Sequence, residues 1–538
     1  MTAFAYLRHP LAFLAAVSAV IGLIWYLLGA AVPLAPSPLA SGEKLGCLSY
    51  APLSPGNDVA EVPRAQIAAD LAALVPHTSC VRTYRTGAGL DRAVEVAHEL
   101  GLTVLQGIAI GRSEAENRAE IERAVALAHT ERSAIRAFIV GSEVLSRSEL
   151  GSFELAALIR DVRERTKLPV SYADRAEIWH EADRIASVVD FVTLNIPLYD
   201  ADFPVAAADA ARHVAAVRTA VAALLPGKSV AIVEAGWPSA GRMRDAALPS
   251  PVNQARVLTD LVGLAKSEKF QLSIFEGIDQ ASRGSDTRLA GTHWGFLQND
   301  PRMEKFRWGR TLSNHPLWSV QAVTGILLAF VVFAAGFLST RTSAEAYPPG
   351  VKWEPVVIIA LGAGAFVGWA VADLAFQSGN VTGWTAGLIL LALAFIAPPV
   401  AAAAVVRRLP FEGFSIVLDR NAWRSAHPIA RSATALLVLA VLFAVQSALA
   451  LLFDPGSREF PFAGLTGPAV AFLVISKANA SGTRRESYAE AGAALALAVS
   501  AALIVVNESV LNWQAMWFAA ALCALAVVCW RAPGAQRR

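Results

Sequence analysis

Val230-Ala231-Ile232-Val233-Glu234-Ala235-Gly236-Trp237-Pro238-Ser239 is the stretch that decides how this chain reads. Four apolar residues, three of them β-branched, run into a carboxylate, and Gly and Pro then stop the strand at once. A parallel strand buried on both faces has this composition, and it delivers Glu234 to the C-terminal rim of its sheet, where barrel enzymes keep their chemistry. A strand-end Glu that merely caps a loop is the plain alternative. A second acid weighs against it: Ala137-Phe138-Ile139-Val140-Gly141-Ser142-Glu143 is another apolar run ending in a carboxylate. Two carboxylates on different strands of one barrel suit glycosidic chemistry, one as acid/base and one as nucleophile.

Outward from these two runs, short β-rich segments alternate with longer amphipathic ones, the pattern of βα units around a parallel sheet. Eight strands are expected near Cys47 to Tyr50, Cys80 to Tyr84, Thr103 to Ile108, Phe138 to Ser142, Val170 to Ala173, Phe191 to Asn195, Val230 to Glu234 and Leu272 to Glu276. Helical patterns such as Glu114 to His129 and Val205 to Leu225 lie between them. Eight repeats over residues 45–312 predict an α/β fold, a (β/α)8 TIM barrel, which typically takes about 250 residues. The remainder is different in kind. The 538-residue chain is 55% apolar with mean hydropathy +0.46, a balance that membrane spans explain.

Leu11 to Val32 reads as a membrane anchor, with a cleaved signal peptide as its alternative, and Pro33-Leu34-Ala35-Pro36-Ser37-Pro38 as a stiff linker, so residues 1–44 form an N-terminal unit. Residues 313–538 read as an all-α multi-span transmembrane domain of seven helices, near 317–339, 356–376, 385–406, 432–453, 461–476, 489–506 and 513–530. Arg407, Arg408, Arg420, Arg424 and Arg431 crowd one connection, Lys477, Arg484 and Arg485 another, and Arg531, Arg537 and Arg538 the tail, whereas Arg458 is the only basic residue of the alternate linkers. Basic connections mark the cytoplasmic side, so the barrel is expected outside. A net charge of +2 offers no basic surface for nucleic acid. Four cysteines are too few and too scattered for a disulfide scaffold or a zinc site. Cys47 and Cys80 fall on adjacent strands where a disulfide can form, but two separate buried thiols are the preferred reading, because bridged Cα atoms must approach within about 7 Å.

Glu234-Ala235-Gly236-Trp237-Pro238-Ser239 resembles the Glu-Thr-Gly-Trp-Pro-Ser nucleophile signature of glycoside hydrolase family 17, the β-1,3-glucanases and β-1,3-glucanosyltransferases. Val81-Arg82-Thr83-Tyr84 resembles its second-strand Val-Arg-x-Tyr, and Gly141-Ser142-Glu143-Val144 its Gly-Asn-Glu-Val. Phe275-Glu276-Gly277-Ile278-Asp279 and His293-Trp294-Gly295 resemble its last strand and the following loop. The resemblance implies Glu143 as acid/base and Glu234 as nucleophile. Arg82 would grip a carboxylate by a bidentate contact, or else form a structural ion pair inside the barrel. Tyr50, Tyr84, Tyr172 and Asn195 end their strands at the rim, where they can bond sugar hydroxyls or orient the acids, with ordinary core tyrosines as the alternative for Tyr50 and Tyr172. Trp237 and Trp294 offer flat faces for sugar rings, and Glu276 and Asp279 supporting acidity. Ser142 stands where the family has Asn, Ala235 where it has Thr, and Gln280 and Arg283 where it has Glu and Lys.

The expected function is therefore a membrane-bound retaining enzyme of the bacterial inner membrane, its barrel in the periplasm, that cleaves β-glucan and re-forms the linkage by transfer. A plain β-1,3-glucan hydrolase is one rival. A non-catalytic glucan-binding scaffold for export is another, for which paired acids have no use. The partners implied are β-glucan, membrane lipid and a membrane glucan synthase; no metal or organic cofactor is implied.

Overall fold

The computed structural model describes residues 3–52, 61–181, 183–280, 293–341, 352–377, 381–409, 411–418, 420–453, 460–478 and 488–532. The chain divides into two units, Val32–Leu312 and the combination of Met1–Ala31 with Ser313–Arg538. Arg283, Arg458, Arg484, Arg485, Arg537 and Arg538 lie outside the described residues.

In the first unit eight parallel strands close into a barrel in sequence order: β1 (Cys47–Ser49), β2 (Cys80–Arg82), β3 (Thr103–Ile108), β4 (Ile135–Ser142), β5 (Val170–Asp174), β6 (Val192–Asn195), β7 (Val230–Ala235) and β8 (Leu272–Ile274). All eight expected strands are present. Strand alternation sorts their side chains into two cores. Cys47, Cys80, Leu105, Ala137, Ile139, Ala173 and Val233 fill the lumen. Leu48, Val81, Val104, Phe138, Val140, Leu194 and Ile232 face outward, where they pack with the surrounding helices. The helices begin and end as their sequences require. Ser113 and Ser250 accept from the backbone N–H three residues on, and Pro251 occupies the first turn of Pro251–Glu268.

Two expectations change here. Cys47 and Cys80 form a disulfide across β1 and β2, with Cα atoms 4.4 Å apart. Adjacent parallel strands bring inward-facing residues of one layer this close, which the sequence spacing alone did not reveal. The Pro-rich segment is not a free spacer either. Val32–Pro33 pairs antiparallel with Thr311–Leu312, the Ala35 carbonyl accepts from Gly309 N–H, and Leu34 and Leu39 pack on the barrel core. The barrel unit therefore begins near residue 32 rather than 45.

In the second unit, seven helices among the described residues are long and apolar enough to cross a membrane: His9–Leu28, Trp318–Thr340, Glu354–Leu374, Gly383–Val406, Pro428–Phe453, Tyr488–Glu508 and Trp513–Arg531. Phe462–Ala478, expected as another span, is shorter at 17 residues. The N-terminal helix belongs to this bundle: Val17, Ile21 and Trp25 are buried in its core. A Cβ on Gly325 would meet the Gly364 carbonyl at 2.1 Å, the close helix approach that glycine permits in membrane bundles. Asp373, Glu490 and Glu508 are buried within this unit.

Candidate active site

β2, β4, β6 and β7 carry the residues that converge at the C-terminal end of the lumen. Arg82 lies two residues beyond Cys80 on the same face of β2 and is almost completely buried. Its Nη1 donates to Glu234 Oε1 at 2.5 Å and to the Val233 carbonyl at 3.1 Å. The Tyr84 ring lies 4.3 Å from the guanidinium carbon. Burial works against the charge of Arg82, but Tyr84, Glu234 and Glu143 outweigh it, so its pKa lies above the ordinary arginine value. The expected bidentate grip is not what forms: Nη1 alone meets one oxygen of Glu234, in an ion pair made with the proposed nucleophile itself.

Glu143 stands just past β4 with φ +55°, a left-handed conformation that costs a non-glycine residue about 1 kcal/mol or more. Asn195 at the end of β6 donates its amide to Glu143 Oε1 at 3.2 Å and to Ser142 Oγ at 3.1 Å. Ser142, shorter than the Asn of the family pattern, thereby shares the amide that holds the acid. Arg175 Nε comes within 3.9 Å of Glu143. Both carboxylates are partly open to solvent, with side-chain exposures of 20% for Glu143 and 21% for Glu234.

Tyr84 is half-buried and its covered hydroxyl is held neutral, its pKa raised by burial foremost. Glu276 is buried after β8, close enough to act electrostatically on Tyr84 and Lys305. The exits of β7 and β8 are pressed together, since a Cβ on Gly236 would meet the Phe275 carbonyl at 1.9 Å. Gly is thus required between Glu234 and Trp237.

Four of the expected residues are engaged by protein groups. Tyr50 turns outward and donates to Asp70 at 2.9 Å. Tyr172 also turns outward, donates to Asp174 and accepts from Leu145 N–H at 2.8 Å, which pins the loop that begins with Glu143. Trp237 and Trp294 are buried, both edge-on to Tyr199, and the Trp237 indole donates to the Leu248 carbonyl. Their faces are occupied by protein, because the Gly-forced approach of the β7 and β8 exits folds both rings inward.

Asp279 is likewise committed, accepting from Lys305 Nζ at 2.7 Å and Gly295 N–H at 2.8 Å. Burial raises its pKa and lowers that of Lys305, each restrained by the other's charge. Lys305 also donates to Ser239 Oγ and the His293 carbonyl, tying the β7 and β8 loops together. Gln280 is buried, its amide 3.5 Å from the Ile278 carbonyl. Sequence reasoning missed Lys305, Asp174 and Arg175, none of which belongs to a quoted motif. Phe203, in the loop after β6, is 87% exposed.

A closed barrel with two partly exposed carboxylates at the ends of β4 and β7, each held by a neighbouring side chain, has the architecture of a glycosidase. In comparison with known proteins, residues 47–295 match the BtgE/BtgC glycoside hydrolase domain. A probable β-glucosidase of Aspergillus clavatus is 26% identical over 276 residues, 50% of this chain and 47% of that protein. One from Aspergillus fumigatus is 24% identical over 240 residues, 43% of this chain and 42% of that protein. The chain spans about half the length of the curated relatives it matches. Among solved structures, a glycoside hydrolase family 17 β-1,3-glucanosyltransferase from Rhizomucor miehei aligns with TM-score 0.44 and 24% identity, covering 49% of this chain and 98% of that one.

Proposed function

We propose that this chain is a membrane-tethered retaining enzyme acting on β-1,3-linked or β-1,6-branched glucan, with Glu234 as nucleophile and Glu143 as acid/base. The observation that carries the reading is the pair of carboxylates, Glu234 gripped by Arg82 and Glu143 by Asn195. Glu234 would attack the anomeric carbon while Glu143 gives its proton to the departing oxygen, leaving a covalent glycosyl enzyme. Glu143, now a base, would then take a proton from the incoming acceptor. The glycoside hydrolase match of the barrel supports this chemistry.

We further propose that the acceptor is a second glucan chain, that the membrane is a bacterial inner membrane, and that the barrel faces the periplasm, where chains delivered by a glucan synthase would emerge. Apolar helices of spanning length support the tether, and a tethered barrel meets emerging chains at high effective concentration. Hydrolysis is the second reading, favoured by the burial of Trp237 and Trp294, which removes two expected acceptor platforms.

Incubating the full chain in detergent with linear β-1,3-gluco-oligosaccharides and resolving products by mass separates the outcomes. Longer, branched or cyclised products support transfer, and shortened chains alone support hydrolysis. Glu234→Gln and Glu143→Gln should each abolish turnover of unactivated glucan, with only the Glu143 variant partly rescued by an aryl glycoside whose leaving group needs no proton. Full activity of either variant on glucan refutes the assignment.

A further inference from the structure

We propose that the Cys47–Cys80 disulfide is a positioning element for the active site, the covalent floor that fixes where Arg82 meets Glu234. The inference rests on the glycosidase reading given above and adds a role for two residues outside the catalytic pair.

β1 and β2 have three residues each, with Leu48↔Val81 and Ser49↔Arg82 in register, and Tyr50 N–H donates to the Arg82 carbonyl. These backbone bonds fix the strand that carries Arg82 in the plane of the sheet. Cys80 lies two residues below Arg82 on the same face, and its sulfur is bonded to Cys47 on the neighbouring strand. The bond adds a covalent tie on the lumen side, the side from which the Arg82 guanidinium reaches toward β7.

Both ends of the ion pair stand on the same layer. Cys47 and Cys80 pack in the lumen with Val233, the residue directly before Glu234 and the one whose carbonyl also accepts from Arg82. Opening the bond would release two side chains in the layer on which Arg82 and Val233 stand. The Arg82–Glu234 contact would drift, and displacement on the order of 1 Å at a reacting group can cost about a hundredfold in rate.

The test uses the full chain in detergent, comparing wild type with Cys47→Ala/Cys80→Ala and with Ile159→Val, a buried substitution in the outer core. Each is assayed well below its melting temperature for kcat, KM, the pH profile of kcat/KM, and the rate at which a 2-deoxy-2-fluoroglucosyl fluoride labels Glu234. The double variant should lose kcat and labelling rate by about tenfold or more, with KM little changed and the acid limb of the profile displaced. Ile159→Val should keep kcat and the profile. A double variant that melts earlier yet retains kcat, labelling rate and acid limb overturns the proposal, because the bond would then serve stability alone.

Should the double variant not fold, wild type treated with a water-soluble phosphine decides. The phosphine takes oxygen from one water to become its oxide, and each sulfur gains an electron and a proton to give two thiols. Alkylation of the same samples after unfolding in denaturant, followed by mass analysis, should rise from two labelled cysteines, Cys523 and Cys529, to four as activity falls. Four labels with full activity, or four labels without any reductant, overturns the proposal. A wild type that is neither active nor labelled at Glu234 refutes the glycosidase reading itself, a result distinct from those.

Discussion

Replacing Arg82 by Met keeps an unbranched stem, shortens the side chain and removes every side-chain N–H. Two hydrogen bonds disappear, the 2.5 Å contact to Glu234 and the 3.1 Å contact to the Val233 carbonyl. A hydrogen bond to a charged group contributes about 1.5–3 kcal/mol. Glu234 is 21% exposed, so water can replace part of what is lost, and about 2 kcal/mol of nucleophile placement is the reasonable charge against turnover. At about 1.4 kcal/mol per factor of ten, kcat should fall roughly 30-fold. Arg82→Lys keeps the charge, but its side chain is shorter and its ammonium stops short of the place where Nη1 meets both Glu234 and the Val233 carbonyl, so it should fall between, near tenfold. The assay is steady-state kinetics on an aryl β-glucoside or a β-1,3-gluco-oligosaccharide, with melting curves on the same samples. KM should stay within about a factor of two, since the contact acts on the nucleophile and not on ground-state binding. Unchanged kcat in Arg82→Met, together with a lowered melting temperature, would show the ion pair to be structural and refute the reasoning.

Trp237→Ala should act on stability: a fully buried indole that packs on Tyr199 costs about 3–5 kcal/mol to truncate, read as a melting temperature lower by roughly 10 °C for a domain of this size. Phe203→Ala should leave the melting temperature in place and raise the hydrolysis-to-transfer product ratio or KM, since the ring is 87% exposed and available to stack on sugar; no kinetic change would remove Phe203 from the substrate path. Phe462–Ala478, 17 residues long, reaches about 25 Å against about 30 Å of hydrocarbon. Because it is buried among other helices, it should still cross, and compartment-specific reporters fused after Ala426 and after Arg531 should then report the same side. Opposite sides would mean that it does not span.

The fold was legible because barrel strands and spanning helices are long-range patterns that single residues rarely disturb. All eight strands stand out as apolar runs closed by Gly, Pro or a polar residue, and the spans as runs of apolar residues. The carboxylates were legible through their place at strand ends. What could not be read was the direction of individual side chains. Tyr50 and Tyr172 end their strands as Tyr84 does, but Tyr84 has the parity of Arg82 and the lumen, whereas Tyr50 and Tyr172 join the outer core. Lys305, far along the chain from the loops it ties, carries no local pattern at all.

Glu234 shows why parity by itself misleads at the site. Ile232 faces the helices, so unbroken alternation would send Glu234 outward with it. Between β6 and β7, however, Leu194 pairs with Ile232 and Asn195 with Glu234, so one step on β6 faces two on β7. One extra residue reverses the alternation, as β-bulges do beside active sites, and Glu234 turns to Arg82. β4 repeats the device: Ile139 pairs with Ser171 and Ser142 with Ala173, three steps against two. Gly141 there takes φ +82° and Glu143 φ +55°. Glycine accepts that conformation freely; glutamate does not, and Tyr172, Asp174 and Asn195 around its loop supply the contacts that hold it. Both acids thus stand where the regular strand pattern is broken, so the sequence rule that finds the strands cannot by itself aim the carboxylates.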